Sequence, residues 1–122
     1  MLRTLILIGV GGAAGSVLRY LTTVLANRLF SSEFPIGTFA VNIVGCLLIG
    51  VLLGCAERHQ FLNPSLRSLL VTGFCGGYTT FSAFASENVN LLQQGHTFTS
   101  VVYIAGSVVL GLFAVWLGFK LM

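Results

Sequence analysis

The sequence predicts an all-α membrane protein with four transmembrane helices in one chain, the third of them broken within the membrane. Three observations lead there. Of 122 residues, 56% are hydrophobic and 7% charged, with a mean hydropathy of +0.97, which leaves too little polar surface to cover a water-soluble globule. Proline-bearing and polar stretches cut the chain into four apolar segments, each long enough for the roughly 20 residues that a spanning helix requires. The third segment carries Gly73-Phe74-Cys75-Gly76-Gly77-Tyr78-Thr79-Thr80-Phe81-Ser82-Ala83-Phe84, whose paired glycines and paired threonines interrupt an otherwise apolar helix. Lipid cannot hydrogen-bond a free backbone, so such a break is tolerated only where it lines a cavity, meets protein or binds an ion.

Taken in order, span one runs from about Thr4 to Arg28 and span two from about Ile36 to Ala56. Span three runs from about Leu66 to Leu92, and span four from about Phe98 to Leu121. Ser31-Ser32-Glu33-Phe34-Pro35 forms the first loop, with Pro35 suited to a helix start. Glu57 to Ser65 forms the second loop and Gln93-Gln94-Gly95-His96 the third. Loops this short make neighbouring helices antiparallel, and residues 1–122 then form a single transmembrane domain. Small residues recur one turn apart at Gly11 and Gly15, Gly50 and Gly54, and Ser107 and Gly111, the spacing that lets helix backbones approach closely in lipid.

Several classes are excluded. The net charge of +3 comes from six scattered basic residues, Arg3, Arg19, Arg28, Arg58, Arg67 and Lys120, rather than from a phosphate-tracking patch, so nucleic acid is not a partner. Cys46, Cys55 and Cys75 follow no ligand spacing and lie in apolar surroundings, as small hydrophobes do. His59 and His96 fall in expected loops as solvated residues. Gly9 to Gly15 imitates a dinucleotide fingerprint, but no strand precedes it and the segment is apolar. Arg3, the following apolar run and Gly12-Ala13-Ala14-Gly15 imitate a cleaved signal, yet apolar residues resume around Arg19 and reach Phe30, longer than a signal core. No nucleophile, base and orienting group share a plausible site, so the chain is not expected to be an enzyme.

An even number of spans puts both termini and the second loop on one side with Arg3, Arg58, Arg67 and Lys120. Arg28 lies on the other side, with Arg19 nearby. The bias toward cytoplasmic termini is modest.

Polar groups inside apolar segments are the candidates for function. Asn42 stands mid-span with Thr38 one turn earlier on the same face, and it serves either as interhelical glue or as a donor toward an anion. Tyr103 and Ser107 lie one turn apart on span four, as a polar track or as back-bonding side chains. Arg19 and Glu87 are the ionisable residues set well inside apolar segments and should face water or each other. Phe81 and Phe84 follow the break on one helix side, where electropositive ring edges can meet a dehydrated anion. Carbonyls freed by unwinding can hold Na⁺.

These residues carry a resemblance. Gly11-Gly12-Ala13-Ala14-Gly15-Ser16-Val17-Leu18-Arg19-Tyr20, then Gly37-Thr38-Phe39-Ala40-Val41-Asn42, then the Gly73 to Phe84 segment together make the chain similar, over its full length, to the small dual-topology fluoride channels called Fluc or CrcB. The resemblance implies an antiparallel (inverted) homodimer in the cell inner (plasma) membrane that confers fluoride resistance by letting cytoplasmic fluoride leave passively. It implies two pores at the dimer interface and a central structural Na⁺ where the helix breaks cross. By motif position, backbone carbonyls of Gly76 and Thr79 would hold Na⁺. Asn42, Phe81, Phe84, Tyr103 and Ser107 would line the fluoride pore, and Arg19 would bias the vestibule positively. Thr38, Thr80, Ser82 and Glu87 would support the pathway. The chain departs from the family pattern at Gly111, where a hydroxyl often continues the track, and at Ala83, where threonine is common. Its uneven basic residues leave room for a paired homologue of opposite orientation. The alternative function is a small four-helix proton-coupled drug or ion exporter. Such exporters carry an acidic residue in the first span, where this chain has Arg19.

Overall fold

Leu2–Leu29 forms one helix, α1, of 28 residues in the computed structural model, which describes residues 1–60 and 62–122. Phe61, which falls in the expected second loop, lies outside the described residues. At 1.5 Å per residue α1 is about 42 Å long, more than the hydrocarbon thickness of a bilayer. Ile36–His59 is α2 and Thr97–Leu121 is α6. These three helices, each long and apolar enough to cross a membrane, correspond to three of the four expected spans. Among the described residues there is no strand.

The remaining segment is built from pieces. Asn63 accepts a hydrogen bond from Leu66 N–H at 2.8 Å and caps α3, Pro64–Arg67, with Pro64 at the first helical position, where a missing N–H costs nothing. The run continues as a π-helix, Ser68–Cys75, and a last turn, α4, Gly76–Tyr78. Thr79 and Thr80 are extended, and α5, Phe81–Gln93, follows with the Thr80 side chain accepting from Ala83 N–H at 3.2 Å as its cap.

Boundaries shift against expectation where caps act. Glu57, Arg58 and His59 extend α2, because basic groups suit a helix C-terminus and Gln60 ends the helix in a left-handed conformation. His59 is therefore helical rather than in a loop. Ser65 belongs to α3 and Gln93 to α5. The turn from α5 to α6 closes with His96 N–H donating to Leu91 O at 2.8 Å and Gly95 N–H to Leu92 O at 3.2 Å. Gly95 sits at φ +84°, a paired-bond ending that favours glycine. His96 is not simply solvated, since its Nδ1 lies 3.3 Å from Glu33 Oε2 and joins the first and third loops at one end of the molecule. At the other end, Arg58 donates to Lys120 O at 3.2 Å and sits over the Phe119 ring.

Packing pairs α1 with the helical run 64–78, and α2 with α6. Both pairs run parallel. Gly11 faces Leu69 and Phe74 while Gly15 faces Phe74 and Tyr78, and Gly50 faces Val115 while Gly54 faces Phe119. A Cβ at Gly15 would strike the Phe74 carbonyl and lie 2.8 Å from Tyr78 N, so only glycine permits this approach. After the extended pair, α5 packs on α6. The interruption thus moves the segment from one neighbour to another. Few side chains are fully buried, among them Tyr103, Val41, Cys75 and Ser100, while Val10, Leu21, Val109, Leu112 and Trp116 are exposed, as an apolar outer surface in lipid requires.

Gly15→Leu is expected to lower the unfolding temperature in detergent, because a rigid backbone cannot yield and overpacking costs about 1–3 kcal/mol or more. Gly9→Ala meets nothing within 4 Å and is expected to leave stability unchanged or slightly raised, alanine being the better helix former. Thermal melts of the two variants side by side make the check.

Candidate functional site

The site is organised by one amide. Asn42, on α2, donates from Nδ2 to Thr80 O at 3.0 Å and accepts at Oδ1 from Thr80 N–H at 2.8 Å. A side-chain amide therefore pairs with an extended residue as a strand would, satisfying both backbone groups of Thr80. Asn42 is helix glue in this sense, and the amide keeps a second N–H beyond the one that Thr80 takes.

The carbonyls at the end of the run 64–78 are redistributed. Thr79 donates both its N–H, at 3.0 Å, and its Oγ1, at 2.9 Å, to Cys75 O. Arg19 Nε donates to Gly77 O at 3.0 Å, a cation on a helix C-terminus. Because Thr80 N–H turns to Asn42 and Ala83 N–H turns to Thr80 Oγ1, the Gly76 and Thr79 carbonyls lose their helical i+4 donors. Gly76 is exposed and Thr79 half-buried.

Two cavities flank the break, and Thr80 lines both. The first, of about 310 Å³, brings together Asn42, Thr79, Phe81, Phe84 and Ser107, with Cys46, Ile49 and Val108. Phe81 is 77% exposed, and its ring centroid lies 5.7 Å from that of Phe84, which meets Tyr103 edge-on at 4.9 Å. Ser107 Oγ is buried with no hydrogen-bond partner, so it does not back-bond to its own helix. Tyr103 does not reach this cavity. It is fully buried, and its hydroxyl donates to Glu87 Oε1 at 2.8 Å.

The second cavity, of about 290 Å³, is lined by Arg19, Tyr20, Thr23, Thr38, Ala83 and Glu87 as well as Thr80. Glu87 Oε2 accepts from Thr38 Oγ1 at 2.7 Å, so the carboxylate ties α5 to α2 and, through Tyr103, to α6. Arg19 and Glu87 share the cavity, and among the described residues they form no ion pair. Ser82 Oγ lies 3.3 Å from Thr80 Oγ1 at the start of α5.

Two further hydrogen bonds join residues that the sequence pattern does not single out. Thr22 and Tyr78 share a hydrogen bond at 3.2 Å beside Arg19. Ser100 Oγ donates to Asn88 Oδ1 at 2.8 Å, fully inside the protein. The signal for the second was present, since Asn88 is an amide adjoining Glu87 in an apolar segment. Among the described residues no cluster of three or more His, Cys, Asp or Glu side chains forms.

With this arrangement in place, comparison with known proteins is decisive. Residues 6–119 match the family model described as CrcB-like protein, Camphor Resistance (CrcB). The chain belongs to the CrcB family. This CrcB chain is 50% identical over 117 residues to a Flavobacterium psychrophilum protein named fluoride-specific ion channel FluC, covering 96% of the chain and 94% of the relative. A Phocaeicola vulgatus protein of the same name is 49% identical over 117 residues, with 96% of each covered. A third, from Azobacteroides pseudotrichonymphae, is 43% identical over 121 residues, covering 99% of the chain and 97% of the relative. With three long apolar helices, this CrcB chain is a multi-pass membrane protein.

Asn42→Ala removes both bonds to Thr80. It is expected to cost about 1–3 kcal/mol, the penalty for stranding buried backbone groups, and to speed amide hydrogen exchange at Thr80 selectively. Exchange measured by NMR in detergent, against Asn90 as an exposed reference, makes the check.

Proposed function

We propose that this CrcB chain is a fluoride-selective ion channel of the bacterial plasma membrane that passes fluoride passively. The chain is not an enzyme. The observation that carries the proposal is the cavity beside the clamped break, where anion-compatible donors converge on the family's motif residues. Asn42 with its spare N–H, Ser107 with its unpartnered hydroxyl, and the paired rings of Phe81 and Phe84 line one space. A fluoride ion holds its water tightly, so a narrow path must replace that water with donors of this kind, and a larger halide is excluded by width.

The active unit is an antiparallel homodimer in which four passes per chain cross the bilayer and the third is interrupted midway. Exposure of Gly76, Phe81 and Ser82 on one chain supports a partner copy at this face, either identical or a homologue of opposite orientation. Two copies give two fluoride pores along the interface, each lined by Asn42, Phe81, Phe84 and Ser107. Tyr103 and Glu87 back the rings, and Arg19 gives the mouth a positive bias.

The residues present fit a structural Na⁺. Gly76 and Thr79 carbonyls have lost their helical donors and are neutral hard oxygens, the ligand type such an ion prefers. A sodium ion would neutralise carbonyl dipoles that otherwise crowd together where two breaks cross. Two carbonyls from each chain would hold it, so the site is complete only in the dimer.

One observation favours the proton-coupled exporter, namely that the Glu87 carboxylate lines a cavity. Proton movement that depends on an organic cation, and no fluoride flux, would establish that reading instead.

Reconstituted protein is expected to release fluoride from loaded liposomes, with chloride retained, as read by ion-selective electrodes against protein-free liposomes. Phe81→Ile is expected to slow release about tenfold, a loss of about 1.4 kcal/mol at the barrier, while the dimer persists on size exclusion. Replacing Na⁺ by N-methylglucamine is expected to lower dimer melting temperature, because ion binding to the folded state stabilises it by mass action. A melting curve insensitive to Na⁺ would remove the ion from the structure.

A further inference from the structure

Three contacts between helices lie in order along the antiparallel hairpin of α5 and α6 and lead to a cavity. Beyond the Gly95 turn comes the Ser100–Asn88 bond, then Tyr103–Glu87, then the Tyr103–Phe84 ring contact, and finally the cavity with Ser107. Asn88 is 6% exposed and Ser100 is 1% exposed. The Asn88 amide is oriented from both sides. Its Nδ2 donates to Phe84 O at 2.9 Å, one turn back on the same helix, which leaves Oδ1 aimed at α6. Ser100 Oγ then supplies the matching hydrogen. Neither residue lines a cavity described above, and neither touches the anion path.

We infer that Asn88 and Ser100 are positioning residues that set the register of α5 on α6 and so hold the Phe84 ring against Tyr103 at the wall of the conducting cavity. The inference deepens the fluoride-channel reading and rests on it for its effect on flux. A slip of one residue along α5 would turn Phe84 about 100° around the helix, away from Tyr103. Apolar packing in lipid tolerates such slips, because hydrocarbon contacts with side chains and with lipid tails are similar. A buried donor and acceptor do not, since separating them strands both in a medium without water. The short distance from the Gly95 turn adds to the effect, because register set near a tight turn propagates along both helices.

The test separates register from mere stability. Ser100→Ala strands the Asn88 oxygen, Ser100→Thr keeps a hydroxyl, and the pair Ser100→Ala with Asn88→Leu removes both polar groups, a change that can be nearly neutral for stability. Three readouts are taken on the full-length dimer: melting temperature, the NMR contact between the Phe84 and Tyr103 rings, and fluoride efflux. The expected result is that Ser100→Thr keeps all three. The double variant keeps its melting temperature but loses the ring contact and slows efflux about three- to tenfold, the factor set by an interhelical bond of ordinary strength. A double variant with wild-type melting, ring contact and efflux overturns the inference. So does slowed efflux with the ring contact intact. Should the unaltered protein conduct no fluoride, the ring contact still decides the positioning role, and only the channel reading falls.

Discussion

One interaction organises this molecule: the Asn42 side-chain amide closed on the backbone of Thr80. An apolar segment in lipid has to keep its backbone bonded, and a helix normally does so alone. Two extended residues cannot. A primary amide carries a donor and an acceptor at the spacing of a peptide group, so it substitutes for the missing strand with a single residue. Because α2 provides it, the break is held at a fixed height against that helix.

Once the chain is extended at Thr79 and Thr80, the two halves of the segment are free to take different neighbours. The first half lies along α1 through glycine-permitted backbone contact, with Arg19 and the Thr22–Tyr78 pair fastening its end. The second half lies along α6 through buried polar bonds. The difference in means has a physical basis. Dispersion between close backbones gives proximity without strong directional preference, whereas hydrogen bonds in a dry interior accept one register. The half that carries the aromatic rings is the half held by directional bonds, and Thr80, where the change of neighbour occurs, lines both cavities.

Much of this was legible from residues alone. The spans of α1, α2 and α6 follow from apolar run length, and Pro35, Asn63-Pro64 and Gly95 mark turns by their own backbone chemistry. Asn42, Phe81, Phe84 and Ser107 stood out as polar or aromatic groups out of place or beside the break, and they do line one cavity. Helical spacing puts Tyr103 in line with Ser107 on one hydroxyl face. Instead the Tyr103 hydroxyl donates to Glu87 on α5, while the Ser107 hydroxyl stays without a partner. His59 is helical rather than in a loop because the end of α2 depends on capping at Gln60, which side-chain type does not announce.

Composition, punctuation and helical spacing determined by themselves that the chain lives in lipid, which stretches form its long helices, and which polar groups required an explanation. Summed apolarity and local backbone chemistry suffice for that. Which donor met which acceptor was decided only by the tertiary structure. Asn42 and Thr80 are 38 positions apart, and Arg19 and Gly77 are 58 apart. Such pairings depend on how helices are placed against one another in three dimensions, and no local pattern in either partner encodes that placement.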